Sequence, residues 1–566
     1  MYVTTLDELA DELLDALFDA YPAIATLYGF AGPRDRLLTD FRESGERAMG
    51  ERIAAIAERA AAIDPDSVEP EQRVTRAVII SQAEDIRTRW TTRLAEYTIC
   101  DSFTAPAAEL LFMLPMVTIS TGEQADAYVD RLGVIPSVLE ALADRHRAGV
   151  TAGRVPVRHL VEAAVAHLDR YLANAEDPLS KPTPTDEAGI DVAAYADRRD
   201  AVIRDTVRPA FAAYRDVLRN EIASHGRDRD HPGLCWLPGG DDLYAQLIAM
   251  HTTTRRSADE LHQTGLDMIA RLADEYREIG ARVFGTSELS EIFERLRTDH
   301  ALRWRDGDEL LDAARAAIRR AEAAAPEWFG RLPSQNCEVR AVPADEAPGA
   351  AAAYYMQPSM DGSRPGIYFA NTYKAEERDR HVCESTAFHE AVPGHHFQLT
   401  IAQELTDLPM LRRLAPFTAY SEGWGLYSER LAVEMGLYSD DIALLGMLST
   451  DSLRAARLVV DTGLHAKGWS RAQAVQYMLD QTPMMPVEIE SETDRYIADP
   501  GQALAYMVGR LEIQRIRATA EAALGRDFDI RGFHDTVLSS GALPLSVLAE
   551  VVDRWVAGNT ASVPQA

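Results

Sequence analysis

The sequence predicts a mainly α-helical protein, a large helical body with a small β-sheet next to one histidine-rich helix. Two observations support this fold class. Helix start signals precede apolar residues of helical spacing along most of the 566 residues, and β-forming residues concentrate in a single region. The helical segments vary in length and spacing and show no fixed-period repeat, which argues against a solenoid.

Three segments illustrate the helical signals in chain order. Thr5 with Glu8, and Ser257 with Glu260, each have the Ser/Thr-x-x-Glu pattern of a capping box, and each pair precedes an apolar stripe. An Ala-rich segment that starts at Asp308 predicts a further helix. We expect that helix to end at residue 326, a proline, because proline cannot continue the backbone hydrogen bonding of a helix.

The helical body is predicted to be one unit of residues 1–566. Segment 174–190, rich in Pro, Asp and Thr, is the one linker-like stretch. It indicates a possible subdivision into a helical N-terminal part, residues 1–173, and a catalytic part, residues 191–566.

Composition restricts the partners and the location. A formal net charge of −31 repels phosphate backbones and anionic lipids, so we expect neither nucleic acid nor membrane partners. The four cysteines form no CxxC pair, which fits a reducing compartment. The first residues lack the pattern of a signal peptide, and no window approaches 18 uninterrupted apolar residues. These features predict a soluble, cytoplasmic protein, whose oligomeric state stays open.

The β-forming region spans residues 337–372, where Pro, Gly and Asp separate short runs. We expect strands near 338–342, 352–356 and 367–370, immediately before the histidine-rich segment. The sheet is either a peripheral hairpin or an edge beside a cleft, to which an extended peptide could add as one more strand.

The segment ESTAFHEAVPGHHFQLTIAQE, residues 384–404, nearly matches the zinc-protease pattern H-E-x-x-H. In that pattern two histidines one helical turn apart bind zinc, and the glutamate acts as a base. His389 and Glu390 supply the first half, but Pro393 occupies the place of the second histidine. Proline cannot bind a metal, and it kinks or breaks a helix.

Two histidines compete for the second ligand position. A bulge at Pro393 and Gly394 would take up two residues and bring His395 to the required place, which we favour. His396 would take the position only if the helix ran straight through the proline. The alternative to a site is a helix that ends at Pro393, with both histidines as polar residues at the next helix start.

A third ligand is expected from the segment AYSEGWGLYSERLAVE, which starts at residue 419. Glu422 and Glu429 lie seven residues apart and therefore on one helical face. One of them could bind the metal while the other orients a ligand histidine. Aromatic neighbours indicate that both are buried, and buried carboxylates need a cation or hydrogen-bond partners.

The motifs HEAVPGHHFQ, SEGWGLYSE and PGQALAYMVGR, together with DGSRPGIYFANT, resemble the bacterial family known as domain of unknown function 885. The resemblance covers most of the chain. That family is similar to gluzincin-type metallopeptidases, and most of all to the thimet-oligopeptidase type. The resemblance therefore implies a mostly helical fold with a deep cleft.

The same resemblance implies roles for individual residues. A Gly-His pair ends the motif in the thimet-oligopeptidase type, as Gly394 and His395 would here. A glutamate of a later helix is the third ligand there, which points to Glu422, and a downstream tyrosine that stabilises the transition state points to Tyr506. The two-residue expansion of the motif leaves the second histidine and the identity of the metal open.

We therefore expect a zinc-dependent hydrolase that cleaves peptide bonds, with short peptides as substrates and one Zn²⁺ per chain. Glu390 is the expected general base. Tyr354 and Tyr368 of the sheet are candidates for contacting the substrate. Arg495 and Arg510 are candidates for binding a substrate carboxylate, although such an arginine is more often a surface residue or part of a salt bridge.

Two other functions use the same residues. The protein could be a metal-dependent enzyme that acts on a C–N bond of a modified amino acid or small metabolite in a biosynthetic pathway. It could also be a non-catalytic relative with a structural site. The sequence leaves open whether peptides would be cleaved internally or from an end.

Overall fold

The computed structural model describes residues 5–30, 32–185, 188–344, 347, 350–360, 362 and 364–561. The predicted mainly helical fold is confirmed. The helices are α1 (Leu6–Ala20), α2 (Pro22–Leu27), α3 (Glu43–Ala61), α4 (Pro70–Thr91), α5 (Pro106–Met113), α6 (Gly122–Thr151), α7 (Arg158–Ala173), α8 (Val192–Val202), α9 (Arg208–Val217), α10 (Gly240–Thr252), α11 (Ala258–Phe284), α12 (Leu289–Thr298), α13 (Gly307–Trp328), α14 (Cys383–Glu390), α15 (His395–Glu404), α16 (Met410–Leu414), α17 (Thr418–Glu434), α18 (Asp441–His465), α19 (Arg471–Gln481), α20 (Pro486–Ala498), α21 (Ala505–Leu524), α22 (Ile530–Leu538) and α23 (Leu545–Ala561). None of these helices combines the length and the apolarity that crossing a membrane requires.

The helix start signals act as predicted, but one helix end differs. Both capping boxes are formed, at the starts of α1 and α11. Helix α13 continues to Trp328 and includes Pro326 in its last turn. Proline there removes one N–H donor without ending the helix, and the Phe329 N–H still donates to the Ala325 carbonyl at 2.9 Å.

Three strands form the small sheet: β1 (Glu338–Ala341), β2 (Ala353–Met356) and β3 (Ile367–Ala370). Their order is β1-β3-β2, with β1 parallel and β2 antiparallel to the central strand β3. The predicted strands are confirmed to within one residue at each end. The sheet lies next to α14, the helix that carries the first histidine of the motif.

Hydrophobic side chains form three cores. The first joins α1, α3 and α4 to α13, the sheet and most helices from α14 to α23. The second lies among α10–α12 and α18–α20, and the third among α5–α9. The proposed subdivision at residues 174–190 stays a prediction, but the cores do not follow it, because the first helices share a core with the last ones.

The described part of segment 174–190 packs against the third core. Leu179 is fully buried, and its carbonyl accepts a hydrogen bond from the Tyr128 hydroxyl at 2.8 Å. The Thr185 N–H donates to the Ile119 carbonyl at 2.9 Å. Residues 186 and 187 lie outside the described residues. A stretch with a linker-like composition is thus held to the helical body on at least one side.

Helices α17 and α21 cross at a point where two glycines meet. A Cβ at Gly423 would lie 2.5 Å from the Gly509 backbone, and a Cβ at Gly509 would lie 1.8 Å from the Ala419 carbonyl oxygen. Only glycines allow so close an approach of the two backbones. The crossing matters for the site because Glu422 precedes Gly423 and Tyr506 lies one turn before Gly509.

Candidate metal centre

The histidine motif is built on two helices rather than one. Helix α14 ends at Glu390, the chain turns through residues 391–394 with a cis Val392–Pro393 peptide, and α15 begins at His395. The expected bulge in a continuous helix is therefore replaced by a break. A Cβ at Gly394 would lie 1.8 Å from the His389 carbonyl oxygen, so the turn requires glycine there.

The break brings His395, and not His396, towards His389. The rings of His389 and His395 have centroids 4.8 Å apart, and the Nε2 atom of each lies 3.5 Å from Oε2 of Glu422. His396 lies in the core with 1% exposure, where its Nδ1 contacts the Tyr355 hydroxyl at 2.8 Å and its Nε2 contacts a backbone carbonyl at 2.9 Å. Both ring nitrogens of His396 are thus engaged elsewhere.

The two glutamates of α17 have different surroundings. Glu422 faces both Nε2 atoms and keeps 22% of its side chain exposed. Glu429 is 1% exposed, and its Oε1 lies 2.8 Å from Nδ1 of His389. Its Oε2 accepts hydrogen bonds from the hydroxyls of Ser385, at 2.6 Å, and Thr450. Since Nδ1 of His389 donates to Glu429, its Nε2 is the atom that can bind a metal.

The charges of these groups act strongly on one another. Burial lowers the pKa of His389, but hydrogen bonds to Glu422 and Glu429 outweigh burial and raise it to about 9. Burial would raise the pKa of Glu422, yet the two histidines hold it well below its ordinary value. A proton on an imidazole, or a metal ion between the donors, would balance negative charge at these carboxylates.

The donor set fits a divalent metal. One ligand atom each from His389, His395 and Glu422 can be chosen so that all three lie within 4.8 Å of one another. Two imidazoles and one carboxylate are a common set for a catalytic Zn²⁺, which leaves a coordination position for water. A Cβ at Gly425 would lie 2.6 Å from Cε1 of His389, so this glycine leaves room for the ring against α17.

Glu390 follows the first histidine at the end of α14 and is half-buried. Burial lowers the pKa of His389, and the negative charge of Glu390 adds to the larger effect of Glu422 and Glu429, which raises it. Within the described ranges, no donor forms a hydrogen bond or ion pair with its carboxylate. The group is therefore available to accept a proton.

Comparison with known proteins gives the family. A model described as "Bacterial protein of unknown function (DUF885)" matches residues 22–552. The chain belongs to this family. No curated protein sequence matches the chain.

Two solved structures have a similar fold. The structure described as the putative lipoprotein from Colwellia psychrerythraea is 28% identical, with a TM-score of 0.88, and the match covers 98% of this chain and 100% of that one. A putative lipoprotein of unknown function from Shewanella oneidensis is 19% identical, with a TM-score of 0.75 and 97% and 99% coverage, and shows the fold alone. A cytoplasmic location for this DUF885 protein stays a prediction.

Tyr506, at the start of α21, does reach the centre of this DUF885 protein. Its ring lies 6.4 Å from the His389 ring at an angle of 23°. Burial, followed by the charge of Glu422, raises the pKa of its hydroxyl, which therefore stays protonated at neutral pH. The Tyr506 hydroxyl is therefore available as a hydrogen-bond donor from the α21 side of the site.

The two arginines proposed to bind a carboxylate both have partners within the protein. Arg495 binds Glu492 through two nitrogens, at 3.0 and 3.2 Å, and Gln502 at 2.9 Å, while 26% of its side chain stays exposed. Arg510 is 2% exposed and forms an ion pair with Asp451. The geometry favours the ion-pair alternative for Arg510 and leaves Arg495 accessible.

The two tyrosines of the sheet also differ. Tyr354 stacks on Phe369 with ring centroids 5.1 Å apart and is half-buried. Tyr368 is 2% exposed within the first core, where burial, followed by the charges of Cys383 and Glu390, raises the pKa of its hydroxyl. Contact with a substrate stays a prediction for both, and only Tyr354 keeps an exposed face.

Several residues near the centre were missed by the sequence reasoning. Ser385 lies four residues before His389 on the same face of α14, a spacing that could have revealed it. Tyr355, the partner of His396, carries no such signal. Neither do Arg454 and Arg457 of α18, whose guanidinium groups lie 5.7 and 4.5 Å from the centre of the Tyr506 ring. Their proximity depends on the packing of α18 against α21.

Proposed function

We propose that this DUF885 protein is a zinc-dependent hydrolase that cleaves peptide bonds in short peptides, in the manner of gluzincin-type metallopeptidases. The observation that carries the proposal is the approach of the His389 and His395 Nε2 atoms to Glu422 Oε2, at 3.5 Å each. These three residues would hold the ion. A free carboxylate, Glu390, directly follows the first ligand, which is where a general base is needed.

Each residue has a separate task in this proposal. When bound, Zn²⁺ would polarise the substrate carbonyl and lower the pKa of a water molecule towards about 7. The carboxylate of Glu390 would accept a proton from the attacking water and pass it to the nitrogen of the leaving amine. The hydroxyl of Tyr506 would donate a hydrogen bond to the carbonyl oxygen as it becomes negative, a contribution of about 3 kcal/mol.

Glu429 would act through His389. Its contact with Nδ1, at 2.8 Å, holds the ring in one orientation and in the tautomer that presents Nε2. The hydroxyls of Ser385 and Thr450 hold the Glu429 carboxylate in turn. This chain of hydrogen bonds supports a fixed ligand geometry on which catalysis depends.

Elemental analysis and a peptide screen test the proposal together. We expect about one zinc per chain after expression with added metal, and hydrolysis of short peptides that a chelator abolishes and zinc restores. A protein without a divalent metal, and without hydrolysis after zinc addition, would contradict the proposal. Metal binding without hydrolysis of any peptide would favour the action on a different C–N bond.

A further inference from the structure

Three arginines form a cluster beside the candidate metal centre, and two of them lie over the ring of Tyr506. Arg454 and Arg457 lie three residues apart on α18, so they share a helical face. Their guanidinium groups lie 5.7 and 4.5 Å from the centre of the Tyr506 ring. Arg495 of α20 adds a third guanidinium group, because it shares the Glu492 carboxylate with Arg457. We name these three side chains the guanidinium wall.

The guanidinium wall carries more positive charge than its neighbours balance. Arg457 and Arg495 share one carboxylate, Glu492, at 2.8 and 3.0 Å. Arg454 forms no ion pair with any described residue, and its Nη1 makes only a 3.4 Å contact with the carbonyl of Thr450. One carboxylate therefore faces three guanidinium groups, in a protein whose overall charge is strongly negative.

The nearest further carboxylates are already engaged. Glu429 is bound to His389, Ser385 and Thr450. Glu422 faces the two candidate ligand histidines. Neither glutamate is left over to neutralise the wall.

Two nitrogens of the guanidinium wall have no acceptor. They are Nη1 of Arg457, whose residue is 5% exposed, and Nε of Arg454, and both are buried without a hydrogen-bond partner in the described structure. Leaving a buried charged donor unsatisfied is costly, so such donors are expected to serve an acceptor that arrives from outside. Exposed fractions of 26% at Arg495 and 23% at Glu492 show that solvent reaches the wall.

We propose that the guanidinium wall binds a carboxylate group of the substrate, the α-carboxylate at the C-terminus of a short peptide. The inference rests on the proposed function and specifies its substrate class. Planar guanidinium groups match the two oxygens of a carboxylate, and Arg454 and Arg457 offer unpaired donors on one helical face. Tyr506, which lies between the wall and His389, would then connect the binding of the peptide end to the bond that is cleaved.

Binding of a matched pair of ligands tests the wall without turnover. The ligands are N-acetyl-trialanine and its C-terminal amide, and the protein is the full chain with Glu390→Gln, loaded with zinc, in a calorimetric titration. We expect the acid to bind about tenfold more tightly than the amide, because the amide lacks the charge. Adding Arg454→Gln should remove this preference by weakening the acid alone.

Two further variants separate anion binding from general damage. Arg457→Lys keeps the positive charge but loses the planar fork, so it should reduce the preference while leaving binding of the amide unchanged. Arg471, whose guanidinium binds Asp494, belongs to α19, and Arg471→Gln should leave the preference intact. Thermal unfolding of each variant verifies that it is folded, and Arg457→Lys retains the test if Arg454→Gln does not fold.

The source of the carboxylate is tested with N-acetyl-Ala-Glu-Ala-amide, which has a side-chain carboxylate but no free C-terminus. Tight binding of this peptide, equal to that of the acid, would overturn the assignment to the C-terminus. Equal binding of N-acetyl-trialanine and its amide would overturn the inference altogether. If the two bind equally and the wild-type protein hydrolyses both N-acetyl-trialanine and its amide, the proposed function still holds. If the acid binds more tightly but neither peptide is hydrolysed, the result contradicts the proposed function and not the carboxylate site.

Discussion

At the scale of single residues, Glu390 and Glu422 carry the same functional group in different surroundings. Glu422 faces two imidazole nitrogens at 3.5 Å, whereas Glu390 is half-buried and pairs with no described donor. A carboxylate that approaches ligand atoms is suited to binding a cation, and an unpaired one is suited to accepting a proton. Changing each to glutamine should therefore affect different properties.

We expect Glu390→Gln to keep the fold and about one zinc per chain, and to lose turnover by about 10²–10⁴-fold. Glutamine has nearly the same shape as glutamate but cannot take up a proton near neutral pH. Metal content and hydrolysis of a peptide panel measure the two properties. The matched variant Glu422→Gln should lose metal together with activity, and zinc binding as tight as in the wild type would show that the ligand has been misassigned.

We expect His395→Ala to lose metal and His396→Ala to retain it. The Nε2 atom of His395 faces Glu422, whereas both nitrogens of His396 are engaged with Tyr355 and a backbone carbonyl. Removing the His396 ring leaves those groups unsatisfied, so stability should fall by about 1–3 kcal/mol. Metal analysis with denaturant unfolding of both variants is the measurement, and metal loss in His396→Ala alone would refute the geometry of the break.

At the scale of elements, the site depends on how closely α17 and α21 approach each other. Glu422 lies on the first helix and Tyr506 on the second, and Gly423 and Gly509 set the distance between them. The site is thus assembled from a helix crossing as much as from the histidine motif. A change in that crossing should alter the geometry without touching a metal ligand.

We expect Gly509→Ala to destabilise the protein by about 1–3 kcal/mol and to reduce turnover, because its Cβ would lie 1.8 Å from the Ala419 carbonyl oxygen. The matched control is Gly133→Ala in α6, where no atom lies within 4 Å of the added Cβ. That control should be neutral or should stabilise the helix by up to about 1 kcal/mol. Unfolding curves of the two variants that coincide would contradict the account of the crossing.

The strands and the candidate ligands could be predicted because their signals are local. Pro and Gly separate the short β-forming runs of residues 337–372. The His-Glu pair, followed by two glutamates on one helical face, is a pattern within the sequence that predicts a metal site. The break after Glu390 was only partly predicted. Pro393 indicated a departure from regular helix, but the sequence does not say whether a helix bulges or ends.

The arginines could not be predicted, for a different reason. Arg510 and Arg457 are both basic residues within helices, and nothing in their neighbours along the chain distinguishes them. Arg510 pairs with Asp451 and Arg457 lies over Tyr506, because of where α18 packs against α21. Both arginines form ion pairs, and contacts between distant segments decide which of them also lies over the Tyr506 ring.

At the scale of the whole molecule, buried neutral histidines make the stability of the folded protein depend on pH. The Nδ1 of His465 accepts the Leu234 N–H at 3.1 Å, and its Nε2 donates to the Tyr496 carbonyl at 3.0 Å. Burial lowers the pKa of this ring to about 3. His534 shows the same lowering, also to about 3 and by burial. A proton on Nδ1 of His465 would break the bond to Leu234.

We expect stability to fall as the pH decreases from about 6.5 towards 3. In that range the unfolded chain binds a proton at His465 and the folded protein does not, so each pH unit costs about 1.4 kcal/mol from this residue. His465→Gln, which can still donate and accept, should make the dependence shallower by that amount. Denaturant unfolding at several pH values measures the slope, and the exposed His300→Gln is the control that should leave it unchanged.

The first core has a consequence for how the protein is made. The apolar face of α1 packs in a cluster with α16, which starts 390 positions after α1 ends, and with residues of α23, which starts 525 positions after it. At ribosomal rates of about 5–20 residues per second, the time between the synthesis of α1 and that of α16 and α23 is on the order of tens of seconds. During this interval the apolar face of α1 can pack against α3 and α4, but the part that contacts α16 stays uncovered. The first core is therefore completed only after α23 has been made.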